Sequence, residues 1–158
     1  MEVVLALAPF CAFGYDMGGG YALKLSTQIT KQKVVLLAGD LIALALVTIV
    51  GFATHQELDT AGLYMLTTFL PLSVAWLLIS PHLLVYKPDF VIEYRYLWRP
   101  FWAMILAAPM AGWLRGVLLD RMILPQFVII LGGISALALL TWRATYALIC
   151  HRREPRNG

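Results

Sequence analysis

The chain has 158 residues, of which 61% are hydrophobic and only 13% are Asp, Glu, Lys or Arg, about half the charged share of an average soluble domain. That composition excludes an ordinary soluble globule. The net charge of +3, spread along a strongly apolar chain, also excludes a disordered or nucleic-acid-binding one.

In chain order, residues 1–33 form an ambiguous N-terminal segment. Val3–Phe13 is apolar, but its eleven residues would reach only about 17 Å as a helix, too short to cross a bilayer. Glu2 is the sole charge before Asp16, so the basic leader of a secretory signal is missing. Extension to Leu25 brings in Asp16 and the triplet Gly18, Gly19 and Gly20, both poor in a lipid-facing helix. An interfacial or re-entrant segment is therefore preferred to a fifth span, and Met17 is an alternative start.

Four runs then have the roughly 20 apolar residues needed to cross about 30 Å of hydrocarbon: residues 34–53, 61–86, 99–119 and 125–150. Their continuous apolarity favours helices over the alternating strands of a barrel. Pro125 suits the first turn of the last span, whereas Pro71 and Pro109 remove donors inside spans two and three and predict kinks. Residues 151–158 make a basic tail. The expected fold is an all-α polytopic membrane protein, a four-helix transmembrane bundle over residues 34–150.

Lys24, Lys31, Lys33, Lys87, Arg95, Arg99, Arg152, Arg153 and Arg156 fall on one side of the spans, against Arg115 and Arg121 on the other. The positive-inside rule then places both termini in the cytoplasm. Tyr86, Tyr94, Tyr96 and Trp98 bracket the inner loop between spans two and three, as interfacial aromatics do.

Asp40 stands about 9 Å inside the first span, where an ionised carboxylate costs on the order of 3 kcal/mol or more. Arg143 lies about 10 Å from the same side in the antiparallel fourth span, so the two charges share a depth. Gly39, Ala43, Val47 and Gly51 form a row of mostly small residues beside Asp40; Gly132 and Ala136 share a face with Arg143. Small residues permit close helix approach in lipid. An intramembrane Asp40–Arg143 ion pair between spans one and four is expected, with Arg99 and backbone or hydroxyl groups as the alternative partners. Ala108, Gly112 and Gly116 give span three a similar packing row. His55, Arg115 and Asp120 form an expected outer polar cluster near Glu57, Asp59 and Arg121.

Cys11 and Cys150 show no metal or redox spacing, so no disulfide framework is expected. His55, His82 and His151 match no metal motif, and phosphate loops and nucleophile elbows are missing. No metal site, cofactor or catalytic residue is expected, although the aromatic-rich spans suit contact with bound lipid, quinone or pigment.

The segments AGDLIALALVTIVGFATH, FLPLSVAW, RGVLL and TWR resemble a prokaryotic family of small four-span membrane proteins known only as a domain of unknown function. The resemblance covers residues 34–148, and Asp40, His55, Arg115 and Arg143 fall on its matching positions. It implies four helices and supplies no activity.

These readings converge on a small, non-enzymatic integral protein of the bacterial cytoplasmic (inner) membrane. Its expected role is that of an accessory or interaction subunit, with other membrane subunits or further copies of itself as partners and no nucleic acid. The alternative is a small oligomeric transporter or channel using the Asp40–Arg143 pair.

Overall fold

The computed structural model describes residues 22–54, 62–91, 93–122 and 124–153. Among these the chain is all-α, without strands. It comprises α1 (Ala22–Thr54), a 3-10 turn (Gly62–Met65) running into α2 (Leu66–Ile79), a one-turn α3 (Pro88–Val91), a second 3-10 turn (Tyr94–Tyr96), α4 (Trp98–Leu119) and α5 (Pro125–Arg153).

Among the described residues, three helical segments are long and apolar enough to cross a membrane: Lys31–Thr54, Tyr94–Leu119 and Pro125–Arg152. Helix α2 has 14 residues and rises only about 21 Å. The four-residue 3-10 turn before it adds about 8 Å, bringing the combined element close to a bilayer's hydrocarbon thickness. Exposed side chains outside the α1–α5 interface are lipid-like: Ile49 on α1, Trp102, Leu106 and Trp113 on α4, and Ile129, Leu137 and Leu148 on α5. Apolar surface of this extent is a liability in water and the proper boundary in lipid.

Helix α1 starts at Ala22, earlier than the expected residue 34. Ala22, Leu23, Lys24, Leu25 and Gln28 are strong helix formers, and no Gly or Pro intervenes to stop the helix. The choices among a re-entrant segment, a fifth span and a start at Met17 lie outside the described residues. Helices α2 and α4 continue through Pro71 and Pro109.

The second span departs from expectation at its C-terminal end, because the helix stops at Ile79 instead of reaching Tyr86. Pro81 has no N–H to offer Leu77, and its ring crowds that carbonyl. The chain instead closes a Schellman motif. Leu84 N–H donates to Pro81 O at 3.0 Å and Val85 N–H to Ser80 O at 3.3 Å, with Leu84 left-handed at φ 54°. Glycine normally holds that position, because a side chain there costs roughly 1–2 kcal/mol. Leu84 is half exposed, so little packing repays that strain. Leu84→Gly is accordingly expected to raise stability by about 1 kcal/mol, measured as a higher unfolding midpoint in detergent.

Helix α4 packs against both α2 and α5, and α1 lies mainly against α5. The shared core is built from Leu72, Ala75 and Trp76 of α2, Ala103, Met104, Ala107 and Ala111 of α4, and Ala136 and Leu139 of α5. The alanines of α4 let two helices approach it at once. A second cluster, Leu36, Val91, Tyr146 and Cys150, joins α1, α3 and α5 near the C-terminal end of α5. Cys150 corrects the expectation of no disulfide: it is disulfide-bonded and not a free thiol.

Candidate functional site: a buried ion pair

Arg143 of α5 and Asp40 of α1 meet in a two-point contact. Arg143 Nε donates to Asp40 Oδ1 at 2.9 Å and Nη2 to Oδ2 at 2.6 Å. The exposures are 3% and 0%, so neither charge is solvated. The parallel geometry matches the planar guanidinium fork to the carboxylate and is the strongest form of such a pair.

The rest of the network comes from the reversed turn after α2. Tyr86 O–H donates to Asp40 Oδ2 at 2.8 Å, and its oxygen accepts from Trp76 Nε1–H at 3.0 Å. Arg143 Nη1 donates to Val85 O at 3.3 Å, with the guanidinium also 5.0 Å from the Tyr86 ring centroid. Without the Schellman turn, Val85 and Tyr86 would continue along α2 and could not face α5. Helix α5 and the turn thus converge on the carboxylate that α1 carries, and both of its oxygens are engaged.

Arg99 does not contact Asp40. Its Nη1 donates to Leu83 O at 3.1 Å, and its guanidinium lies 4.0 Å from the Phe90 ring centroid and 5.2 Å from that of Tyr96. Two arginines therefore hold two carbonyls of the same turn, one from each side. This supplies partners to backbone groups that lipid cannot hydrogen-bond.

Close helix approach beside the pair depends on Gly39. A Cβ there would overlap the indole of Trp142, the neighbour of Arg143 on α5. At Gly132 a Cβ would stand 2.5 Å from the Ala108 Cβ, so this glycine serves the α4–α5 contact and not, as expected, the α1–α5 one. Gly132 lies eleven residues from Arg143, close to three full turns, so it shares that face, but at its level the nearest side chain is Ala108 of α4. Ala136 is fully buried in the shared core, Gly112 is buried and Gly116 half-buried. Ala43 is half-buried against the core. Gly51 is corrected outright: a Cβ there meets nothing within 4 Å, because α1 and α5 diverge toward the end opposite the ion pair.

The outer polar cluster is not assembled among the described residues. His55 lies outside them. Arg115 has its guanidinium 4.6 Å from the Phe127 ring centroid and its Nε without a hydrogen-bond partner. Asp120 is an exposed, left-handed C-cap of α4, its N–H bonded to Gly116 O. Asp accepts that backbone more readily than most residues, which accounts for its presence without invoking Arg115.

Sequence reasoning missed Tyr86, Trp76 and the Val85 carbonyl. Pro81 was the available signal for an early helix end; nothing local marks Leu84 as left-handed.

Residues 37–146 match the family model described as Protein of unknown function (DUF3054). No curated protein and no solved structure matches the chain. The matched region contains Asp40, Trp76, Tyr86 and Arg143, the whole hydrogen-bonded network.

Proposed function

We propose a role on the premise that the chain belongs to the DUF3054 family, a membership that brings no activity with it: the chain is a non-enzymatic accessory or interaction subunit of a larger complex in the bacterial cytoplasmic membrane. In this reading four spans cross the bilayer, with α2 and its leading 3-10 turn as the shortest. The observation that carries the reading is the closed state of the Asp40–Arg143 pair. A carboxylate that is 0% exposed and accepts from both Arg143 and Tyr86 serves as a lock between α1 and α5. A proton relay would need further titratable groups leading to and from it.

The nine-to-two asymmetry of Lys and Arg supports cytoplasmic termini. The disulfide at Cys150 pulls the other way, since cytosolic thiols are kept reduced. The charge count is the stronger argument because it draws on every inner connection. The aromatic outer faces, including Trp102 and Trp113, fit contact with other membrane subunits or further copies.

Purification from native membranes in gentle detergent tests the role. A membrane protein recovered in fixed stoichiometry is the expected result. A homo-oligomer alone, conducting protons or ions after reconstitution into liposomes, would instead establish the transporter or channel reading.

A further inference from the structure

A groove of about 1170 Å³ runs between α1 and α5, larger than the roughly 300–1,000 Å³ of common small-molecule sites. Along α5 its lining extends from Phe127 to Trp142, about 22 Å by helical rise, more than one leaflet's hydrocarbon depth of roughly 15 Å. Its walls are almost wholly apolar, and small residues such as Ala38, Ala43 and Gly51 give it depth.

One end of the groove differs from the rest. Arg115, Tyr64 and Thr68 line it there, close to the α4 terminus and the start of α5. Arg115 meets no carboxylate among the described residues; its guanidinium rests on Phe127 and its Nε is buried without a partner. Thr68 is 4% exposed, and its Oγ1 is likewise buried and unpartnered. A cation that meets no carboxylate among the described residues and a hydroxyl without a partner, at one end of an apolar slot, are complementary to one chemistry: an acidic head on an apolar tail.

We propose that this groove binds an anionic phospholipid drawn from the leaflet on the Arg115 side. Its phosphate accepts from Arg115 and Thr68, and one acyl chain lies along Ala43 and Gly51 toward Trp142. The site is separate from the Asp40–Arg143 pair, neither member of which lines the groove and whose charges satisfy each other.

The test is native mass spectrometry of the full-length protein, delipidated and then equilibrated with mixed micelles of phosphatidylglycerol and phosphatidylcholine in equal amounts. One retained phosphatidylglycerol per chain is expected, in clear excess over phosphatidylcholine. Arg115→Gln should weaken its retention about tenfold, the size of one charge-assisted contact, whereas Arg121→Gln, at an exposed position outside the groove, should leave it unchanged. Gly51→Leu adds its side chain where nothing lies within 4 Å, so it should fold normally and reduce retention of both lipids by filling the tail slot. Equal retention of the two lipids, no retained lipid in the full chain, or a lipid-free dimer that Gly51→Leu dissociates would each overturn the proposal.

Discussion

Asp40→Leu in the full-length chain is expected to cost about 3–5 kcal/mol of stability. The size follows from what remains: Arg143, 3% exposed, would keep its charge but only the Val85 carbonyl at 3.3 Å as a partner, with no water to replace the carboxylate. Tyr86 O–H would lose its acceptor as well. Arg143→Leu is expected to do comparable harm from the other side, leaving a fully buried carboxylate with Tyr86 alone. Unfolding in mixed micelles, followed by Trp fluorescence and far-ultraviolet circular dichroism, measures both. A loss below about 1 kcal/mol, the range of exposed pairs, would mean that water reaches the site.

Gly39→Ala is the second large effect, and its sign opposes ordinary helix propensity. In an open helix interior the change should gain up to about 1 kcal/mol. Here the added methyl would overlap the Trp142 indole, which packs beside Tyr146 with ring centroids 6.1 Å apart, so either that contact breaks as the indole shifts into the groove it lines or the two helices move apart. Overpacking of this kind costs about 1–3 kcal/mol, and the disturbance falls one residue from Asp40 on α1 and one from Arg143 on α5. Gly51→Ala, in open space on the same helix, should be neutral or mildly stabilising. The pair of variants, compared by unfolding midpoint, separates helix propensity from helix contact, and Trp142→Ala should relieve much of the Gly39→Ala defect.

The polarity of the chain made part of this architecture legible. A lone carboxylate in an apolar run has few ways to be tolerated, so Asp40 and Arg143 announce themselves by cost and by matching depth. The same logic weakened for neutral groups. Tyr86 is as compatible with a membrane interface as with a hydrogen bond to Asp40, and only the backward turn at Leu84, a residue that carries no turn signal, separates the two. Small residues were informative about close approach without saying to what. Gly39 meets α5, Gly132 meets α4, and Gly51 meets nothing, because the splay of α1 from α5 is a property of the whole bundle. The sequence points Arg115 toward a charged cluster; its surroundings, an aromatic ring and an apolar groove, come from the start of α5 folding over the end of α4.

The double variant Asp40→Leu with Arg143→Leu tests most directly whether the two charges act as one unit. Replacing a buried pair by apolar side chains removes both desolvation costs together. The double variant is therefore expected to be more stable than either single one, with a coupling of about 2 kcal/mol or more in the double-mutant cycle. Costs that simply add, leaving the double variant the least stable of the three, would show that Asp40 and Arg143 depend on separate partners and that no lock joins α1 to α5.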